Sequence, residues 1–287
     1  MITAACPSPA RQVPCEKCPL RAEPSLRDFS QEELDFIAGF KSGELTAEEG
    51  TTLLMQGTDS AHLYTVLSGW AVRHKTLPDG RRQILNFVLP ADLIGLQGTV
   101  LGEMQHSVEA LSDMVLCVFP RERLWELYRG HPSLAFDLTW IAAREEQMLE
   151  ENLVSVGRRT ALERVAFVLL HLFVRAEQVR LTANNKVQFP FTQQHLADAL
   201  GMSLVHTNKT LQKLMASKAT RWKNRTFESA RPRGAHGDRG LSDERRAAAP
   251  VYLMGNDNCM LVSRFRSSPE LAACSDANFG IGTLATL

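Results

Sequence analysis

Residues 191–218, FTQQHLADALGMSLVHTNKTLQKLMASK, decide how this chain reads. Thr192 is placed to cap a helix carrying Leu196, Ala197 and Leu200, Gly201 supplies a tight turn, and Ser203 caps a second helix carrying Val205, Leu211 and Leu214. The small Ala197, four residues before Gly201, lets the two helices approach closely. This spacing predicts a helix-turn-helix. His206, Thr207, Asn208, Lys209 and Gln212 then lie near the start of the second helix, where a recognition helix meets base edges in a major groove. With Thr192, Gln193 and Ser203 at the helix starts they are the candidate DNA contacts; Lys209 suits guanine and Asn208 suits adenine. A merely solvated helix face is the plainer alternative, but caps, turn glycine, flanking segment and local charge all agree.

Downstream, Arg221-Trp222-Lys223-Asn224-Arg225-Thr226-Phe227 alternates basic or polar residues with aromatics about a turn-prone Lys-Asn pair. A β-hairpin wing is expected, with Arg221, Lys223 and Arg225 directed at phosphate oxygens. Upstream, Thr160 and Glu163 form a capping-box signature before an apolar helix over 161–175, and Gly157 reads as a hinge. Pro132 to Val156 has helical spacing over about 25 residues. Its apolar seam, Leu134, Leu138, Ile141, Met148 and Leu149, is narrow, and a long helix of that kind pairs with a copy of itself. The seam residues Leu134, Leu138, Ile141 and Met148 are therefore candidate dimer contacts, and polar Glu145 or Asn152 on the same side is a candidate coupling residue. Packing of this helix on its own domain is the alternative.

Between Gly43 and Phe119, short runs rich in Val, Leu and Thr are punctuated by Gln56-Gly57, Ser68-Gly69, Pro78-Asp79-Gly80 and Pro90-Ala91-Asp92. Strands at that spacing predict a β-roll or barrel. The stretch LYTVLSGWAVRHKTLPDGRRQILNFVL reads as three strands paired in sequence, and GLQGTVLGE reads as strand turns rather than a turn-to-helix dinucleotide motif. Residues 121–128 have helical spacing.

The chain has 287 residues, 44% of them hydrophobic and 22% charged, enough for a globular core and two domains. Its formal net charge of zero hides a split. Residues 1–156 hold 13 Lys and Arg against 22 Asp and Glu, whereas residues 157–228 hold 12 against 4. Only the basic part is suited to a polyanion. The first 18 residues lack a signal-peptide core and no apolar run is long enough to span a bilayer, so a cytoplasmic location without a membrane is expected. Cys6, Cys15, Cys18, Cys117, Cys259 and Cys274 are too few for a disulfide scaffold. HExxH, GxSxG and Walker motifs are missing, which argues against an enzyme, and His62, His74, His106 and His195 stand isolated.

From about Cys15 to Phe227 the chain resembles the Crp/Fnr family of transcription factors, with roll, central helix, hinge and winged helix in the family's order. The resemblance implies an α+β fold: an extension over 1–28, a cyclic-nucleotide-binding-like sensory roll over 29–130, a dimerisation helix and hinge over 131–157, and a winged helix-turn-helix over 158–228. Residues 229–287, which lack periodicity, are expected to be a largely disordered tail. It implies a homodimer on an inverted repeat of double-stranded DNA, with RNA polymerase as a further partner.

Three features depart from the pattern. Relatives that bind cyclic AMP clamp its phosphate with an Arg, yet no Arg stands between Pro90 and Leu111, so cyclic AMP is not expected. Oxygen-sensing relatives hold an iron–sulfur cluster on four Cys. Here Cys15, Cys18 and Cys117 match three of them, leaving Cys6, or a His such as His62 or His106, to complete a cluster or other metal site. The cofactor stays open, and a redox- or metal-sensing roll acting through protein partners is the rival reading. Finally, the resemblance puts Val205 and Lys209 where well-known relatives have Glu and Arg, so the operator is expected to differ from the standard half-site.

Overall fold

The computed structural model describes residues 13–18, 21, 27–216 and 220–229. The chain divides into two units, residues 1–241 and 242–287. All that follows concerns the first; the expected tail beyond Ser229, with Cys259 and Cys274, and Cys6 at the other end lie outside the described residues.

A 3-10 turn at Cys15–Lys17 precedes α1 (Gln31–Phe40), whose start is fixed by a Ser30/Glu33 capping box. Eight strands follow: β1 (Gly43–Ala47), β2 (Thr52–Leu54), β3 (His62–Ser68), β4 (Ala71–Thr76), β5 (Arg82–Val88), β6 (Leu93–Ile94), β7 (Ser107–Ala110) and β8 (Met114–Pro120). They form two four-stranded antiparallel sheets of order β1-β8-β3-β6 and β2-β7-β4-β5. The Pro78-Asp79-Gly80 turn does pair β4 with β5, as expected. The Gly69 corner does not pair β3 with β4; it sends the chain from one sheet to the other. Gly69 has φ +92°, and a Cβ there would lie 2.4 Å from the Asp113 carbonyl oxygen, so only glycine turns this corner. The GLQGTVLGE segment also differs from expectation, because Leu96–Leu101 forms a short helix, α2.

Alternation along the strands gives the first sheet two buried faces. Val66, Met114 and Leu116 point into the roll with Ala71, Ile94, Met104 and Val108. Leu63, Leu93 and Phe119 point outward, beneath α1, α3 (Leu124–Gly130, after a 3-10 turn at Arg121–Arg123) and the first turns of α4 (Pro132–Arg158). Each such Leu or Phe contributes about 1.5–3 kcal/mol on burial.

That packing corrects the seam of α4. Leu134 and Leu138 are only 5% and 8% exposed and belong to the core beneath α1 and α3, Ile141 packs on the same cluster, and Met148 is half-buried. All four face this chain's own domain. The exposed apolar residues of α4 are Phe136, Leu153, Val154 and, of the expected seam, Leu149. Glu145 and Asn152 likewise turn to the roll, pairing with Arg73 and donating to the Leu85 carbonyl at 2.9 Å. Gly157 does not break the helix. It lies inside α4, and the break comes at Arg159, extended at φ −76°, ψ 147°, before Thr160 caps α5 (Ala161–Gln178) through the expected capping box.

Candidate nucleic-acid interface and its link to the roll

The core of the second domain is α5, buried along Val165–Leu170, Leu172 and Phe173. Around it lie a hairpin of β9 (Thr182–Ala183) and β10 (Lys186–Gln188), then α6 (Gln193–Leu200), α7 (Leu204–Ala216), β11 (Thr220–Lys223) and β12 (Thr226–Ser229). The Asn184-Asn185 turn of the first hairpin, with φ +52° and +60°, was a signal the sequence reading did not use. The α6–α7 turn follows the sequence closely: the Thr192 side chain accepts from the His195 amide, Gly201 is left-handed at φ +61°, and Ser203 Oγ accepts from the His206 amide at 3.2 Å. Ala197 is fully buried, as close helix approach requires.

Helical phase then sorts the candidate DNA contacts. His206, Lys209 and Gln212 share an exposed face of α7 with Lys213. Thr207 does not belong with them. It is fully buried, its Oγ1 donates to the Ser203 carbonyl at 3.0 Å, and with Thr210, Leu211 and Leu214 it forms the face packed inward. Asn208 is half-buried with its Oδ1 enclosed, so it does not present the two-point edge expected for adenine. Val205, which the resemblance puts where well-known relatives have a Glu, is 65% exposed at the start of the helix. Thr192, Gln193 and Ser203 are exposed at the helix starts.

The wing forms as β11 and β12, paired in register from Thr220/Ser229 to Lys223/Thr226. Its turn is at Asn224-Arg225, φ +51° and +62°, one residue later than expected. Phe227, fully buried against Phe173 and Phe189, and Trp222, 5.6 Å from the Phe191 ring, anchor it. Arg221 and Lys223 are exposed, while Arg225 lies 3.9 Å from Glu49 of the roll.

Strand β5 is what ties this module to the roll. Arg82 bridges Glu109 at 2.9 Å and Asp198 of α6 at 3.2 Å, and the Gln83 amide donates to the Ala199 carbonyl at 3.1 Å. Phe87 packs on Phe191 at 4.7 Å between ring centres. Buried Arg175 of α5 donates to the Phe87 carbonyl at 2.8 Å and to both oxygens of Asp92 at 2.8 and 2.6 Å. Strand β5 is thus in direct contact with α6, the helix that leads into α7.

In the roll, Arg73 on β4 is buried; its two terminal nitrogens take Glu145 of α4 and the Leu93 carbonyl, while its Nε has no partner. His106 lies 3.1 Å from Gln97, and burial pushes it down to about 4. Cys15, Cys18 and Cys117 do line one largely apolar cavity of about 210 Å³ on the outer face of the first sheet. Among the described residues no three His, Cys, Asp or Glu side chains converge as a metal site, and burial pushes the Cys117 thiol up to about 11. His62 and His106 lie outside that cavity lining.

Comparison with known proteins matches this geometry. Residues 44–131 match the family model of the cyclic nucleotide-binding domain, and residues 163–231 match the Crp-like helix-turn-helix domain. The nitrogen fixation regulation protein FixK of Bradyrhizobium diazoefficiens is 30% identical over 70% of this chain and 83% of its own. The chain belongs to the Crp/Fnr family of transcription regulators. The transcriptional activator protein FnrL of Cereibacter sphaeroides is 27% identical over 70% of this chain and 81% of its own. The solved structure of FixK2 from Bradyrhizobium japonicum superposes with a TM-score of 0.60 at 26% identity, covering 66% of this chain and 92% of that one. As a Crp/Fnr member, the chain is a sequence-specific DNA-binding regulator with a cyclic-nucleotide-binding-like sensory roll. Among its described residues no helix is long and apolar enough to cross a membrane.

Proposed function

We propose that this regulator works in the cytoplasm as a homodimer, places one α7 in each half-site of an inverted repeat, and reports a signal sensed in its roll to RNA polymerase through its occupancy of that site. The observation that carries the reading is the division of α7. Lys209, His206 and Gln212 are exposed on one face while Thr207, Leu211 and Leu214 fix the other in the core. Lys209 reads guanine, and Arg221 and Lys223 of the wing neutralise phosphates. The exposed Phe136, Leu149, Leu153 and Val154 of α4 supply the apolar surface for the second copy. The contacts of β5 with α6 carry the signal.

Selection of duplexes from a random pool, followed by titration at several salt concentrations, tests this. The expected outcome is a two-fold-symmetric consensus and affinity that falls steeply with salt. Salt-steep binding without any consensus would contradict sequence readout by α7. Salt-insensitive binding, or none, would favour the roll acting through protein partners.

A further inference from the structure

Where α4, α5 and the loop 89–92 meet, one half-buried arginine has no carboxylate of its own. Three guanidiniums gather there: Arg73, Arg144 and Arg175. Two carboxylates face them. Glu145 pairs with Arg73, and Asp92 pairs with Arg175. Arg144 forms no ion pair or hydrogen bond with any described residue; its guanidinium lies 5.6 Å from the centre of the Trp140 ring. Burial and the neighbouring Arg175 charge press its pKa down, against the pull of Asp92 and Glu145. The nearby His171 supplies no counter-charge, since burial and the same two arginines keep it neutral, with a pKa of about 3.

A cavity of about 30 Å³ opens at this point; its polar lining is Arg144, Arg175, Gln178 and the carboxylates Asp92 and Glu145, each of which is already engaged by an arginine. That is about twice the space one water needs. Leu89, Pro90, Ala91 and Asp92 of its lining belong to the loop leading to β6.

We propose that this cavity is an anion site, taking the phosphate or carboxylate head of a small metabolite, with Arg144 as its principal ligand and Gln178 as a neutral donor. The site supplies the one negative charge the junction lacks. Trp140, in its lining, offers a flat surface to the body of the metabolite. The cavity touches α4, α5 and the loop following β5, the elements through which the roll holds the DNA-binding module. A bound anion therefore draws these elements together and alters how α6 is held.

Thermal melting of the full chain in sodium phosphate, with sodium chloride at matched ionic strength as the control, tests the proposal. Phosphate should raise the melting temperature in a saturable way beyond chloride. Arg144→Gln should weaken that response at least about tenfold, as loss of one charge-assisted hydrogen bond implies, and Arg144→Lys should retain part of it. Arg144→Gln should also melt no lower than the wild type without phosphate, because the lone charge is relieved.

A phosphate response that is missing, unsaturable or equal in Arg144→Gln would overturn the proposal. So would an Arg144→Gln variant that is less stable without phosphate and dissociates to a monomer, which would assign Arg144 to a carboxylate of a second copy. None of these readouts depends on DNA, so failure here leaves the reading of α7 untouched.

Discussion

The recognition face and the roll–helix junction use cations in opposite ways. On the recognition face Lys209, Arg221 and Lys223 are exposed and form no ion pair among the described residues. At the junction Arg73 and Arg175 are buried at 8% and 4% exposure, each with a carboxylate. A solvated cation contributes little to folding and is free to meet a phosphate. A buried one holds two elements in register, and leaving either partner alone is strongly unfavourable. One module is built to bind and the other to transmit. That contrast predicts mutations separable into those that move stability and those that move DNA affinity.

The largest expected effect is at the junction. Arg175→Met removes the charge facing Asp92 and the donor to the Phe87 carbonyl, and should cost about 3–5 kcal/mol of stability in denaturant melts, as breaking a buried pair does. A loss below about 1 kcal/mol, the range of exposed pairs, would break the contrast.

Acid should act next, through the neutral histidines His171 and His106. Burial holds their pKa values at about 3 and about 4, below the ordinary 6.5. Below about pH 6.5 the unfolded chain takes up protons that these rings refuse in the fold, so stability falls as pH falls. The expected slope is about 1.4 kcal/mol per pH unit for each ring, ending near pH 4 for His106 and near pH 3 for His171. His171→Phe should flatten it in melts taken between pH 6.5 and pH 4; an unchanged slope would place the acid sensitivity elsewhere.

The two modules were not equally legible in the sequence. The DNA-binding turn is written in neighbouring residues: Thr192, Gly201 and Ser203 act within four positions of what they cap or terminate, so spacing alone locates α6 and α7. The wing follows from seven consecutive residues, though its turn was misplaced by one. The junction is different. Arg73 meets Glu145 across 72 positions and Arg175 meets Asp92 across 83, and no local pattern signals either pair. The α4 seam failed for a related reason. Leu134 and Leu138 have the spacing of a dimer stripe, but the outer face of the roll sheet and α3 claim them first. Thr207 failed on helical phase, since a polar residue on a short helix satisfies its own hydroxyl one turn back and passes into the core.

The recognition face itself gives the two smallest and most specific tests. Lys209→Ala should leave the melting temperature unchanged and weaken binding to the selected duplex by roughly 1–3 kcal/mol, with relaxed choice at one base pair. Thr207→Val, two positions away, should do the reverse. Among the described residues its hydroxyl bonds only to the Ser203 carbonyl, so the near-isosteric change should cost about 1 kcal/mol of stability and leave base preference intact. Measured side by side against single-base variants of the duplex, the pair locates the boundary between the reading and packing faces of α7. Altered base preference in Thr207→Val would move that boundary and require α7 to rotate on binding, because a fully buried hydroxyl reaches no base from where it now lies.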